Sequence, residues 1–390
     1  MKHEITIFGY GISAKITSIL LAKSGFKVCL ISDKDQNKEL KDTNLVTFLS
    51  SSSLNYLTSM IPSMQLFNET PAIQIIKCQL KSLSEKKSQS IEFKSEEKGN
   101  LGKIVKNSEL ENCLDKEINH LQNIHIINSN QPNLIINNSD GVQLKLVNGE
   151  QIETEIFILS STKNKIAEQT KVKFVKKDVG QKALSINIKG KIKNKNCAFQ
   201  KFISDGPIAL LPYSKDEASV VWSLKNNSKI LQSTKEDLAQ IIGNHLKEHI
   251  SSVKIESIEK HHLQFVYAKN LYYKNTVLIG NIAHNIHPIA GQGLNLSIKD
   301  VALLVKKINK YRSLGYKLND QMMFEEFAME RKLDNAAYSF GTFSLNGILS
   351  SNNKLINYTT RKGLSLIENN KYLKRLFVKS ATGEDFFKSF

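Results

Sequence analysis

An unbroken apolar run, Ile5-Thr-Ile-Phe8, is followed by apolar residues at helical spacing up to Ser24 and then by a second strand-like run, Lys27–Ser32. Short apolar runs are ambiguous by period alone, but Gly9, Gly11 and Gly25 punctuate this stretch as strand, turn, helix and strand. The chain therefore opens on a βαβ unit. Further on, Leu134–Ile136, Val142–Val147 and Ile152–Thr154 are short runs separated by Asp140-Gly141 and Asn148-Gly149. Those dipeptides are strong hairpin signals and predict a three-stranded meander. Ile156–Leu159 then reads as a buried strand returning to the first sheet. Between about 173 and 268, alternating runs such as Ala183–Ile188 and Ala218–Leu224 predict a second sheet, interrupted by a helix over Lys235–Glu248. From Leu296 onward the pattern is helical, and Gly363–Lys379 sets apolar residues at helical spacing beside Lys371, Lys374, Arg375 and Lys379. No internal repeat is visible, and the charged 84–100 segment reads as a solvated loop or a strand edge.

At 390 residues the chain can bury a substantial core in two interleaved domains. Its formal charge of +17 raises the question of nucleic acid or an anionic membrane. Arginine, however, occurs only at Arg312, Arg331, Arg361 and Arg375, so nearly all the positive charge is scattered lysine. Planar bidentate recognition of phosphate favours arginine, and no nucleic-acid-reading motif is present, so no nucleic-acid partner is expected. Attraction to anionic lipid stays open. Cys29, Cys78, Cys113 and Cys197 are far apart and form no CxxC or Cys/His ligand pair, which predicts a reducing compartment and no metal. Met1 leads straight into a strand with no basic-then-apolar leader, and no run approaches the roughly 18 apolar residues of a membrane span. A cytoplasmic protein is expected, at most peripheral on the inner face of the membrane.

A strand ending in Gly9-x-Gly11-x-x-Ala14 and opening a helix has the form of a dinucleotide-binding turn. Gly9 permits the tight turn, Gly11 lets backbone approach a pyrophosphate, and position 14 needs a small residue where helix meets strand. The N–H groups at the helix start would face the phosphates. A glycine-rich turn without a ligand has the same spelling. The second strand ends in Leu30-Ile31-Ser32-Asp33, where a carboxylate would meet a ribose hydroxyl. Asp33 reaching the ribose, Ser32 substituting for it, and Asp33 as an ordinary turn residue all remain open.

The strongest signal is the segment from Val277 through Gly280-Asn281, His284, His287-Pro288 and Gly291-Gln292-Gly293-Leu294-Asn295 to Asp300. An apolar strand stops at a glycine and a polar side chain, a loop with a rigid proline follows, and a Gly-x-Gly turn opens a helix whose first N–H groups face beyond the loop. This string closely resembles the FAD-binding segment of the flavin-dependent ubiquinone-biosynthesis hydroxylases (2-polyprenylphenol hydroxylases), in the wider class that includes para-hydroxybenzoate hydroxylase. Leu101–Asn107, Phe202–Pro212 with Val221-Trp222, and Arg361–Leu364 with Ala381–Gly383 extend the resemblance over nearly the whole chain.

The resemblance implies an α/β fold with a Rossmann-like FAD-binding domain, an inserted mixed-sheet substrate domain and a helical C-terminus. It divides the chain into 1–70, 100–172 and 269–310 for the FAD domain, 71–99 and 173–268 for the substrate domain, and 311–390 for the helical region. Gly280 and Asn281 would lie beside the FAD ribitol and pyrophosphate, and Pro288 with Gly291–Asn295 along the isoalloxazine ring. There the helix start would stabilise negative charge on the reduced ring, with Gln292 shaping its pocket. The implied reaction uses NAD(P)H and O2 to hydroxylate the aromatic ring of a polyprenylphenol, so no protein catalytic group is expected. Other ubiquinone-biosynthesis proteins are candidate partners. Pro207, Leu210, Pro212 and Trp222 are the candidate substrate-side wall, or else plain sheet core. His284 and His287 lack a third ligand and are expected to be structural. The polyprenyl tail would explain a basic, apolar C-terminal helix that docks on a membrane, although packing on the first domain accounts for the same pattern.

Three positions depart from the family pattern. Asn281 stands where an aspartate is usual, Ser160-Ser161-Thr162-Lys163 replaces an expected Asp-Gly motif, and Asn44 falls where an arginine is frequent. An active hydroxylase is therefore weighed against a non-catalytic paralogue serving as a binding or partner subunit, and against a flavin-dependent reductase on the same fold.

Overall fold

The computed structural model describes residues 1–32, 45–80, 90–94, 99–128, 130–161, 166–285, 291–349, 362, 365–388 and 390. Its main helices are α1 (Ile12–Lys23), α2 (Ser51–Met60), α3 (Asn107–His120), a short α4 (Ile166–Gln169), α5 (Lys235–Leu246), α6 (Gly293–Ser313), α7 (Gln321–Leu349) and α8 (Lys371–Thr382).

The first sheet sets the strands Ile124–Ile127, Val28–Ile31, Lys2–Phe8, Gln151–Leu159 and Thr276–Leu278 side by side, each pair parallel. All four residues of Val28–Ile31 are buried, as are Ile156–Leu159 and Thr276–Leu278. Strands covered on both faces by helices read as continuous apolar runs, which is why their sequence lacks alternation. Phe8 pairs with both Ile31 and Leu159, and Leu159 pairs with Leu278. The carboxyl ends of these strands are therefore level, and the loops that follow three of them, at Gly9, Ser160 and Ile279-Gly280, emerge side by side. Order reverses at Lys2–Phe8, whose neighbours Val28–Ile31 and Gln151–Leu159 lie on opposite sides. In open α/β sheets a ligand crevice forms at such a switch point.

The expected meander is present, with one difference. Ile152–Thr154 and Ile156–Leu159 are a single strand, Gln151–Leu159, which is antiparallel to Val142–Leu146 over its first half and parallel to Lys2–Phe8 along its length. One backbone edge satisfies the hairpin while the other satisfies the parallel sheet, so no break is needed at Glu155.

The second sheet has eight strands, running from His284–Asn285 through Ile250–Ala268, Phe174–Ile192, Glu217–Lys225, Gly206–Pro212, Cys197–Ile203 and Ile75–Gln79 to Ser90–Lys94. The described part of the charged 84–100 segment is thus an edge strand. One face of this sheet packs on α5, with Trp222, Ile208 and Leu210 against Leu238 and Ile242. The other face looks toward the carboxyl ends of the first sheet. A three-stranded sheet of Val46–Ser50, Gly102–Lys106 and Ala72–Ile73 fills the space beside them.

Candidate functional site: a cleft between two helix starts

Between the two sheets lies a cavity of about 560 Å³, within the range of small-molecule and cofactor sites. Gly9, Gly11, Asn281, Gly291, Gly293 and Leu294 all line it, so turns separated by some 270 positions meet at one space. Gly9 sits at φ +129°, and a Cβ there would lie 3.0 Å from the Ser161 backbone nitrogen. Only glycine lets the first turn pass so close to the Ser160-Ser161 backbone. At Gly11 a Cβ would meet nothing within 4 Å, since that position opens into the cavity.

Two helices begin at this space, and both begin bare. Gly11 caps α1 and Gln292 caps α6, neither with a side-chain hydrogen bond, and neither helix has an acidic residue in its first turn. Unsatisfied N–H groups and the positive ends of two helix dipoles therefore converge on the cavity, an arrangement that stabilises an anion. A pyrophosphate at α1 and an electron-rich ring at α6 fit these ends. The residues present thus suit FAD.

Negative charge near the first helix is partly offset. Glu111 lines the cavity, and the fully buried Lys15 ammonium lies 3.6 Å from it and 2.8 Å from Asp115. Tyr10 donates to Asp115 at 3.0 Å. Burial and the Asp115 carboxylate hold its phenol well above the usual range, so it stays a neutral donor at the cavity edge.

The other expected residues lie around the cavity in different ways. Ala14 is fully buried in the first core. Gly280 sits at φ +70°, which side-chain-bearing residues rarely adopt, and a Cβ there would press on the Ser13 hydroxyl at 3.1 Å. Gln292 is buried at the α6 cap. Asn295 corrects the expectation of ring contact. Its side-chain oxygen accepts from the Ser50 N–H at 2.9 Å and its NH2 donates to the Phe48 carbonyl at 2.8 Å. Both ends of the amide are taken by the Val46–Ser50 strand, so Asn295 clamps that strand to α6. Asp33, Asn44, Thr162, Lys163, His287 and Pro288 lie outside the described residues.

The substrate-side wall also needs correction. Leu210 and Trp222 belong to the core under α5, and by strand alternation Pro212 shares their face. The cavity side is formed instead by Ala209, Leu211 and Val221, their immediate neighbours, with Ala198 on the next strand. Pro207 shares the parity of Ala209 but is not among the cavity-lining residues. Phe48 and Thr47, from the three-stranded sheet, were not expected either. No local sequence signal marks them, since their placement depends on pairing with Gly102–Lys106.

Behind the α6 start, His284 is buried with its Nε2 2.5 Å from Asp300 Oδ2. Asp300 Oδ1 accepts from Arg331 Nε at 2.7 Å and from the Asn335 amide at 3.3 Å. Arg331 also donates to Asp334 and to the Asn335 side-chain oxygen, each at 2.6 Å. This network ties α6 to α7 and to the His284–Asn285 strand. Burial would raise the Asp300 carboxyl, but His284 and Arg331 outweigh it and hold it at about 2.

Asn281 is exposed at the cavity, and an amide there accepts weaker, uncharged hydrogen bonds than a carboxylate would. Asn281→Asp is expected to tighten FAD by roughly 1 kcal/mol, the difference between charged and neutral hydrogen bonds. Fluorescence titration of the apoprotein with FAD measures it.

The family described as FAD binding domain matches residues 162–313. The 3-demethoxyubiquinol 3-hydroxylase of Escherichia coli is 24% identical over 398 residues, covering 97% of this chain and 98% of that protein. Ubiquinone hydroxylase UbiL of Rhodospirillum rubrum is 23% identical over 293 residues, covering 74% of this chain and 68% of its own. Among solved structures, p-nitrophenol 4-monooxygenase PnpA from Pseudomonas putida superposes with a TM-score of 0.78 at 9% identity, over 99% of this chain and 98% of that one, which shows a shared fold. Over most of its length the chain is thus similar to FAD-dependent ubiquinone-biosynthesis hydroxylases, and it shares the fold of the flavin-dependent aromatic hydroxylases.

Proposed function

We propose that this protein hydroxylates the aromatic ring of a polyprenylphenol precursor of ubiquinone, consuming O2 and NAD(P)H. The balance is one ring C–H converted to C–OH, with the second oxygen atom leaving as water, NAD(P)H oxidised to NAD(P)+ and one proton taken up from solvent. FAD, when bound, supplies the redox chemistry. The observation that carries this reading is the cavity bounded on one side by two uncapped helix starts and on the other by Ala198, Ala209, Leu211 and Val221. The helix starts favour negative charge where the cofactor would sit. The apolar sheet face excludes water and gives a ring a flat surface to lie against. Asn295 and the Arg331 network hold α6 in place while both sides are filled.

Among the described residues no helix is long and apolar enough to cross a membrane. Access to a lipid-borne substrate instead falls to α8, where Tyr372, Leu376 and Phe377 are exposed beside Lys371, Lys374 and Arg375. An apolar face rimmed by cations suits an anionic membrane surface.

The test is purified, FAD-loaded protein mixed with a 2-polyprenylphenol in anionic vesicles. NAD(P)H oxidation matched by hydroxylated product, with co-sedimentation that salt reverses, is the expected result. NAD(P)H oxidation without oxygen insertion into a suitable phenol would make the protein a reductase. A colourless protein indifferent to added FAD would make it a non-catalytic paralogue.

A further inference from the structure

The cavity lies at the carboxyl ends of the parallel strands. Toward their amino ends the same sheet assembles a second group. His3 stands near the start of Lys2–Phe8, Cys29 is the second residue of Val28–Ile31, and His125 is the second residue of Ile124–Ile127. These are three consecutive strands of the sheet, so donors spaced too far apart in sequence to suggest a ligand set become neighbours.

One nitrogen of each imidazole and the Cys29 sulfur all lie within 4.8 Å of one another. The two imidazoles are stacked, with centroids 5.4 Å apart and planes 16° from parallel. Cys29 is fully buried, whereas His125 is exposed. His3 Nε2 is shielded from solvent and has no hydrogen-bond partner among the described residues. A shielded polar atom left unpaired is destabilising, and a lone pair on such a nitrogen is what a cation uses. Separations of this size leave a common point within about 2.8 Å of all three donors, so shifts under about an ångström bring them to the 2.0–2.3 Å of zinc–nitrogen and zinc–sulfur bonds.

We propose that His3, Cys29 and His125 form a Zn2+ site, tetrahedral with water as the fourth ligand on the exposed His125 side. Two imidazoles and one thiolate are borderline-soft donors, which favour zinc over magnesium or calcium. Binding replaces the Cys29 S–H bond with an S–Zn bond and releases that proton to solvent, so affinity rises with pH. Burial pushes the free thiol up to about 12, which leaves it protonated and unreactive until the metal arrives. The ion ties the Ile124–Ile127 strand to the two strands inside it, remote from the FAD cleft.

Cobalt(II) is the probe. FAD-loaded protein is freed of metal with a chelator and titrated with Co2+, and spectra are taken against Zn2+-loaded protein so that the flavin absorbance cancels. One equivalent is expected to produce a thiolate-to-cobalt charge-transfer band and the intense visible bands of four-coordinate cobalt. Cys29→Ser removes the charge-transfer band. His125→Ala, an exposed change that should leave FAD absorbance intact, weakens Co2+ binding by more than about 100-fold, since even outer-sphere changes at metal sites cost 10–100-fold. No charge-transfer band in the parent, a band that survives Cys29→Ser, or unchanged affinity in His125→Ala would each overturn the proposal.

Discussion

Gly11→Asp is expected to yield a folded protein that no longer holds FAD. Gly11 has φ −83° and ψ 173°, ordinary extended backbone for any residue, and a Cβ there meets nothing within 4 Å. Aspartate is also a favoured N-cap, worth a few tenths of a kcal/mol over glycine in helix stability. Thermal unfolding of the apoprotein should therefore occur at the parental temperature or slightly above. The carboxylate, however, would stand at the helix start where the pyrophosphate belongs. Two unit charges about 4 Å apart repel by about 4 kcal/mol at an effective dielectric of 20, and 1.4 kcal/mol corresponds to a tenfold change in affinity. A loss on the order of 1,000-fold follows. Gly11→Ala adds volume without charge and should cost much less. Equal losses in the two variants would show that crowding, not charge, governs this turn, and unchanged FAD affinity in Gly11→Asp would place the phosphates elsewhere.

Arg331→Met is expected to destabilise the fold by about 3–5 kcal/mol, the cost of removing one partner from a buried ion pair. Asp300 has no solvent exposure and would keep only His284 and Asn335. The double variant Asp300→Asn/Arg331→Met removes both charges and should recover most of the loss, which urea denaturation of the three proteins can measure. The sign with pH is determined by the carboxyl. Its folded value of about 2 lies below the ordinary 3.8, so in the parent its contribution is fully present above about pH 4 and is lost as pH falls through about 2. Without the guanidinium, burial pushes the Asp300 carboxyl up, and acid relieves the buried charge sooner. The stability gap between parent and Arg331→Met should thus be widest near neutrality and narrow in acid. A gap that stays constant with pH would mean that lost packing, not charge, is responsible.

Legibility from sequence followed the range of the interactions involved. The opening βαβ unit is local, and Gly9, Gly11 and Ala14 report its geometry within six positions. Gly280-Asn281 and Gly291–Leu294 were legible because a strand end and a helix start each need particular residues nearby. Alternation was visible in Gly206–Pro212 and Glu217–Lys225, but which parity faced the ligand was not. Period two fixes two faces without naming them, and α5 claimed the face with Trp222 and Leu210. Asn295 was placed correctly at the start of α6, yet its partners on the Val46–Ser50 strand lie 245 and 247 positions away, beyond any local pattern. Arg331 looked like one of four scattered arginines, and only the packing of α7 on α6 gives it Asp300. The grouping of His3, Cys29 and His125 depends wholly on strand order, which spacing along the chain does not encode.

The level ends of Lys2–Phe8, Gln151–Leu159 and Thr276–Leu278 restrict how the chain's length can vary. A residue inserted within any of these strands would advance the loop beyond it by about 3.3 Å and turn the side chains on one side of the insertion to the opposite face. The nucleotide turn would then miss its counterpart by more than a hydrogen bond can stretch. Insertions and deletions are therefore tolerable at the hairpin tip around Asn148, beside the amino end of Gln151–Leu159 and so at the end of the sheet opposite the cleft, and not in the segments that deliver its rim.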